Sequence, residues 1–474
     1  MATPIGANRA TTDADTAARV TGGRVVRAVG GRMVRGITSD SRAVLPGGAF
    51  VALRGETHDG HGFLAQAIAA GAALLVVERG RAPGDAGVDV VEVDDTLRAW
   101  GALGGAHLDA WRRANPGTRV VAITGSAGKT TTKELCAALL GSVAPCHATA
   151  GNLNNRVGVP AVLLELEPRH RFAVIEVGMS LRGEIATLAG LVRPDVAVIT
   201  NIGLAHAGGV GGTLDDVARE KGALFEGVRP PGVVVANADD AAVEAQLVRA
   251  PRAHVVRFGR SAAATYRLVA REALGPEGSR VTLERPGGPP VSVVLPIPGE
   301  AAAVDLAAAL AAADAAAPGP VDPVAGLVAL APIAGRMQVR RARGLTILDD
   351  AYNANPGSMR AALATLGECR GQRRVAVLGE MKELGPAAER EHAALADAVV
   401  AAGVSLLVSC GGLADVLARG VTSRDVEVVL AGSAAEAARA TSERVRPGDV
   451  VLVKASRSVG AERVVETLVG RESA

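Results

Sequence analysis

A strand, a glycine loop and a helix follow one another without a break in RVVAITGSAGKTTTK, residues 119–133. Residues 120–123 are an apolar strand, Gly125 and Gly128 punctuate the turn, and a helix opens at Lys129. This order aims loop N–H groups and the positive end of a helix at one point, which is the geometry that holds phosphate. In such a loop the backbone of Gly125, Ser126, Ala127 and Gly128 closes round phosphate oxygens, and Lys129 reaches the terminal phosphates. Thr130 then presents a hydroxyl to Mg²⁺, with Thr131 beside it in the first helical turn. A plain glycine-rich turn would leave the lysine and the three threonines after it unexplained.

The same alternation recurs through the chain, and it dictates an α/β class built on parallel sheets. Strands are predicted at 172–176, 196–200 and 233–236 in a central segment, 117–332, where a P-loop ATPase-type sheet is expected. A further set at 346–348, 375–378, 406–408, 426–430 and 450–453 implies a doubly wound, Rossmann-like C-terminal segment, 333–474. Helices there are expected over 358–369, 387–402, 434–444 and 461–469. The first 116 residues alternate shorter strands (49–53, 73–77) with a helix near 62–70, a small α/β unit whose first fifteen or so residues should fray. Three domains in 474 residues agree with ordinary domain sizes.

Composition excludes several classes of function. A net charge of +2 with 2% aromatic residues provides neither a basic footprint nor stacking platforms for nucleic acid. The alanine-rich window 301–317 is interrupted by Asp305 and Asp314, so it reads as a buried helix and no membrane span is expected. Four scattered cysteines without a C-x-x-C pair match a reducing cytosol, and no signal-peptide core precedes them, so a cytoplasmic protein is expected.

Chemistry-bearing residues gather where the strands end, the rim on which α/β sheets bind ligands. Glu176 ends an apolar strand with a hard oxygen donor suited to Mg²⁺; capping a neighbouring helix is the plainer role. His206 follows another strand in TNIGLAH, as a metal or phosphate ligand or as a packing residue. Lys221 has the look of one charge on a solvated helix face. The segment LDDAYNANPGSM places Asp350, Asn353 and Asn355 at a strand end, more polar groups than an Asx-rich turn needs. Arg336 stands beside a hinge glycine, as a clamp for a γ-phosphate or as a solvated linker cation. Two polar turns in the first segment, around Asp40, Ser41 and Arg42 and around Arg54, Gly55, Glu56, His58 and Asp59, are ligand sites or solvated loops.

The stretches DSRAVLPGGAFVALRGETHDGH, ITGSAGKTTTKE, GNLNNRVGVP, EVGMSLRGEI, TNIGLAH, AREKGALFE, GRM, DDAYNANPGSM, GEMKELG and LVKASRS run in order through most of the chain. Together they resemble the Mur ligase family. GNLNNRVGVP, DDAYNANPGSM and GEMKELG are similar to the branch that adds D-alanyl-D-alanine to UDP-N-acetylmuramoyl-tripeptide in peptidoglycan precursor synthesis. The resemblance implies an ATP-dependent ligase, a monomer, with one domain each for the UDP-sugar, ATP and the dipeptide. It implies ATP and two Mg²⁺ ions as requirements, with Thr130, Glu176, His206 and Lys221 as metal-holding positions and Lys221 carbamylated by CO₂. Lys129, Lys221, His206 and Arg336 become the catalytic set; Asn154, Arg336 and Asp350 join the loop as nucleotide contacts. Ser41, Arg42, Asn152, Asn155, Asn353 and Asn355 are implied to meet the UDP-substrate or the dipeptide.

One run departs from the family's pattern. Where G-x-H-N-x-x-N is usual, this chain has GEAAAVD, so Ala301, Ala302 and Asp305 stand at the His and Asn positions that meet adenine and ribose. The helix is expected to persist with its polar face lost, and adenine recognition to be looser or supplied from the third domain. Two readings stay beside the leading one: a related ligase for another amine, and a nucleotide-binding module without ligase activity.

Overall fold

The computed structural model describes residues 8–55, 58–84, 87–422 and 425–470. Three large sheets and a two-stranded ribbon, Thr11–Thr12 with Val34–Arg35, carry the chain. The first has five strands in the spatial order Arg24–Arg27, Asp89–Val93, Leu74–Glu78, Ala49–Val51, Ile37–Thr38. Only the Arg24–Arg27 edge is antiparallel. The expected fraying stops short of residue 8: Asn8 is buried, donating to the Ile37 carbonyl at 2.7 Å and accepting from the Ile37 N–H at 3.1 Å. Asp13 then caps the helix Ala14–Thr21. Satisfied backbone at both points holds a terminus that composition alone marks as loose. Glu56 lies outside the described residues.

The central sheet has nine strands. Five adjacent ones, Phe172–Glu176, Arg119–Thr124, Val196–Ile199, Val233–Asn237 and His254–Gly259, are parallel. Alternate residues serve opposite faces: Val121 and Ile123 enter one core with Leu135 and Leu306, while Val120 and Ala122 enter another with Leu108, Ile185 and Leu224. A strand covered on both sides must be apolar throughout, which is why these runs are so plain in the sequence. The sheet does not end as a parallel one. Tyr266–Ala273, Ser279–Glu284 and Val291–Leu295 extend it, and the last two pairings are antiparallel.

The helix Thr96–Ala114 joins the first two sheets and belongs to both cores. Trp100 and Leu103 pack under the first sheet, Leu108 and Trp111 under the central one. Each indole is anchored to the central part of the chain, Trp100 on the Val157 carbonyl at 2.8 Å and Trp111 on that of Glu167 at 3.1 Å.

The third sheet has the order Gln338–Ala342, Leu345–Asp349, Val450–Lys454, Arg374–Gly379, Val404–Cys410, Glu427–Ala431, parallel beyond its first pair. The single helix expected over 387–402 is two, Ala388–Ala393 and Ala396–Ala401. Among the described residues no helix is long and apolar enough to cross a membrane. The alanine window forms the helix Glu300–Ala316, buried as expected against the phosphate-loop helix Lys129–Gly141.

Candidate active site

The carboxyl ends of the central and third sheets face each other, and a cavity of about 400 Å³ lies between them. Ser126 to Lys129 and Thr131 form its floor, and the alanine helix contributes Ala301, Ala302 and Asp305. Arg336, Asp350, Asn353, Asn355 and Lys454 close it from the C-terminal side. Residues that the sequence disperses over more than 300 positions therefore share one cleft, at the break between parallel strands where such sheets bind ligands.

Local geometry fixes the loop. Gly125 and Gly128 both have positive φ, 154° and 80°, and a side chain on either would run into Thr200 or the Asp305 carboxyl. Asn201 braces the turn from the next strand end, a role the sequence does not advertise. Its carbonyl accepts from Ser126 N–H and its side-chain oxygen from Ala127 N–H, both at 2.9 Å; its amide returns a bond to the Ala127 carbonyl. Ser126 and Ala127 thus shape the cavity but spend their N–H groups on Asn201. Helix Lys129–Gly141 begins at Gly128 without a side-chain cap, so its opening turn is where N–H groups are left for an anion.

Two lysines converge on a single carbonyl. Lys129 Nζ donates to Gly125 O at 2.7 Å, and Lys221 Nζ donates to the same oxygen at 3.1 Å. Lys221 is 1% exposed, contrary to the solvated face that its helix suggested. Burial, then the Lys129 ammonium, pushes Lys221 well below the ordinary lysine range. The neighbouring Glu220 carboxylate is turned away onto the N–H groups of Gly183 and Ile185. Burial also lowers Lys129, with Glu176 opposing the shift.

The four positions expected to hold metal do not form a ready cage, and among the described residues no group of three His, Cys, Asp or Glu side chains does. Glu176 fits the role. One oxygen accepts from Asn154 Nδ2 at 2.7 Å, and the other is buried with no hydrogen-bond partner. Thr130 Oγ1 instead faces Arg336 Nη2 at 3.2 Å. His206, in the left-handed region at φ 58°, turns Nδ1 to the carboxylate of Glu383 on the C-terminal side.

Arg336 is no free linker cation: it stacks 4.1 Å over the Tyr352 ring, with Arg457 at 5.2 Å from the same ring. Asp350 pairs with the buried Lys454 and accepts from Met337 N–H. Asn355 caps the helix Pro356–Glu368 and reaches across to donate to Ser126 O at 3.1 Å. Asn353 accepts from Lys454 through its carbonyl. The remaining positions expected to touch substrate have structural partners: Asn155 caps the turn into Gly158–Leu164, Ser41 donates to Gln66, and Arg42 pairs with Asp40. Asn152 is exposed in the same loop as Asn154.

An apolar slot opens where the adenine-side polar residues are missing. Ile297, Pro298, Ala301 and Ala302 face Ala361, Ala362 and Thr365 of the C-terminal helix. The two sides meet closely, because a side chain at Gly299, whose φ is 100°, would strike the Thr365 hydroxyl. Asp305 is buried against Gly128 and Thr132, and burial pushes its carboxyl up to about 8.

The family models for the Mur ligase middle domain, the Mur ligase glutamate ligase domain and the Mur ligase family catalytic domain match residues 123–313, 335–457 and 33–105. An Escherichia coli UDP-N-acetylmuramoyl-tripeptide–D-alanyl-D-alanine ligase is 38% identical over 91% of this chain and 93% of its own. A crystal structure of MurF from Acinetobacter baumannii superimposes with a TM-score of 0.88 at 32% identity, covering 98% of this chain and 99% of that one. MurF ligase from Thermotoga maritima, solved in complex with ADP, gives 0.78 at 28% identity over 91% and 96% of the two chains.

Proposed function

The chain belongs to the Mur ligase family, and on that premise we propose how its cleft performs the ligation. The reaction joins D-alanyl-D-alanine to UDP-N-acetylmuramoyl-tripeptide at the expense of ATP, in peptidoglycan precursor synthesis. The observation that carries the reading is the cavity closed from both sides, with the phosphate loop on its floor and Arg336, Asp350 and Asn355 on its far wall.

A carboxylate does not accept an amine directly, because oxide is too poor a leaving group. The tripeptide's terminal carboxylate therefore attacks the γ-phosphorus of ATP, giving an acyl phosphate and ADP. The dipeptide's neutral amine then adds to that carbonyl, phosphate departs with the C–O bond electrons, and the amine's proton passes to a base or to water. Positioning and charge neutralisation are the main tasks in both steps.

The helix end at Gly128 and the Lys129 ammonium hold the phosphates, and Arg336 meets the charge that develops on the transferred group. Adenine sits in the apolar slot between Ala301–Ala302 and Ala361–Thr365, held by packing from the third domain in place of the usual polar pair. Asp350 and Asn353 face the ribose and phosphates, and Asn154 sets the Glu176 carboxylate. Ser41, Arg42 and Asn152 lie on the UDP-substrate side.

The orphaned Glu176 oxygen is the hard donor that Mg²⁺ takes, with Thr130, His206 and a carbamylated Lys221 as the further positions. Held there, Mg²⁺ would supply positive charge to offset that of the phosphates. A buried neutral lysine is the form that reacts with CO₂, and the carbamate turns an uncompensated cation site into an oxygen donor. For Thr130 and His206 to contribute, Arg336 and Glu383 must release them. We place residues 1–116 on the UDP-sugar, 117–332 on ATP and 333–474 on the dipeptide, in a cytoplasmic monomer whose site comes from one chain.

ADP release by the purified protein, with each substrate omitted in turn, tests the reading. Release that requires ATP, the UDP-tripeptide and the dipeptide together is the expected result. Folded protein that binds the UDP-substrate but releases no ADP would leave only a nucleotide-sugar binding module.

A further inference from the structure

Tyr352 takes part in no step described so far, yet its ring touches the cation assigned to the transferred phosphoryl group. It stands in DDAYNANPGSM between Asp350 and Asn353, which line the nucleotide cleft. Tyr352 itself lines a different cavity of about 490 Å³, which shares Arg336 with that cleft. Thr130 and Glu134 of the phosphate-loop helix, Asp349, Arg457 and Glu462 line this second cavity as well.

Backbone and ring together fix the arginine to the tyrosine. Tyr352 N–H donates to the Gly335 carbonyl at 3.2 Å, which ties the residue before Arg336 to the strand end. Gly335 has φ 64°, and a side chain there would come within 3.0 Å of Tyr352 Cβ, so the linker runs close against the tyrosine. The Arg336 guanidinium carbon then lies 4.1 Å from the ring centroid. Nη2 reaches Thr130 Oγ1 at 3.2 Å, and Nε is buried without a hydrogen-bond partner. Among the described residues no carboxylate pairs with Arg336, whereas Arg457, 5.2 Å from the same ring, has Glu462 at 3.9 Å. Burial pushes the Tyr352 phenol up, so the ring carries no charge of its own at working pH.

A carboxylate partner would hold the guanidinium but cancel the charge that a phosphoryl group needs. An aromatic face holds it with that charge uncompensated, and its N–H edge stays free for phosphate oxygens. We infer that Tyr352 is a positioning residue for phosphoryl transfer, its ring holding Arg336 beside the phosphate loop. The inference rests on the ligase reading and assigns the role to the ring, not to the hydroxyl. When the γ-phosphate arrives, Arg336 has only to exchange Thr130 for a phosphate oxygen. Without the ring, the same guanidinium has carboxylates within its own cavity to turn to, Glu134 and Glu462 among them.

Full-length variants test this, with acyl phosphate trapped by hydroxylamine from ATP and the UDP-tripeptide in the absence of dipeptide. Tyr352→Leu should lower the trapping rate about tenfold, the size of one cation–π contact removed from water. The ADP Kd from calorimetry and the UDP-tripeptide KM should stay at their wild-type values. Tyr352→Phe, which keeps the ring, should trap at the wild-type rate. In an Arg336→Lys background, where the planar guanidinium is gone, Tyr352→Leu should cost no more than about a further twofold. A wild-type rate in Tyr352→Leu, a Tyr352→Phe protein as slow as Tyr352→Leu, or an undiminished cost in the Arg336→Lys background would each overturn the assignment. So would a Tyr352→Leu protein whose ADP affinity falls along with its rate, since that marks a general disturbance of the cleft. Wild-type protein that binds ADP and the UDP-tripeptide yet traps no acyl phosphate would instead overturn the ligase reading, and the tyrosine's role with it.

Discussion

Two buried charges decide how the site behaves residue by residue. Asp305 takes the position of a neutral amide, and it does so by keeping its proton: burial raises its carboxyl to about 8, with Arg336 the charged neighbour that pulls the other way. A folded-state value raised this far contributes stability fully present below about pH 4 and lost as pH climbs to about 8, at up to ~1.4 kcal/mol per unit. Above that, a carboxylate would face the phosphates beside Gly128. ADP affinity, followed by calorimetry from pH 6.5 to 9, should therefore fall as pH passes 8, and Asp305→Asn should flatten the curve. Parallel curves for the two proteins would mean that the proton is not held. Lys221 is adjusted in the opposite direction, burial and the Lys129 ammonium pushing it well below the ordinary lysine range, which favours the neutral amine. Lys221→Ala should lower ligase activity roughly 100-fold or more, by analogy with lost metal-supporting groups, without rescue by bicarbonate. A carbamate resonance from ¹³CO₂ should appear in the wild type and vanish in the variant; full activity of Lys221→Ala would remove the carbamate.

At the scale of elements, legibility followed burial. Arg119–Thr124, Phe172–Glu176 and Val450–Lys454 are covered on both faces, and an uninterrupted apolar run announces them. Tyr266–Ala273, Ser279–Glu284 and Gln338–Ala342 have one open face and carry charges there, so no uninterrupted apolar run marks them. Their pairing rests on contacts such as Arg267 with Glu284 and Arg280 with Glu272, which no local pattern shows. The candidate site divides the same way. The phosphate loop, Glu176 and the cluster at Asp350–Asn355 are local motifs placed by their own strands. Asn201 bracing Ala127 across 74 positions, Glu383 on His206, and Thr365 opposite Gly299 exist only once separate elements pack. Lys221 is the instructive case, because the helix Leu214–Glu226 is buried all round from Glu220 to Phe225 and the lysine lies in that stretch.

For the whole molecule, the nucleotide cavity exists only while the central and third sheets are closed on each other. Contacts that hold the closure include Arg336 on Thr130, Asn355 on Ser126, Glu383 on His206 and Gly208, Arg271 with Glu368, Arg341 with Glu277, and the meeting of Gly299 with Thr365. The Arg341–Glu277 pair is largely exposed and contributes at most about 1 kcal/mol, so Glu277→Gln should change little. Gly299 is different, since a single methyl there collides with the Thr365 hydroxyl and wedges the domains apart. A ligand bound by both sides gains affinity only in proportion to the closed population, so the wedge is paid in nucleotide binding. Gly299→Ala should weaken ADP binding roughly tenfold and enlarge the radius of gyration measured by solution scattering with ADP present. Strain at φ 100° affects that variant too, but removing the hydroxyl opposite separates the two effects. Gly299→Ala combined with Thr365→Ala should recover most of the affinity and the compact profile, whereas strain alone would leave the double variant as weak as the single one. Wild-type affinity in Gly299→Ala would mean that ADP binds without the closure seen here.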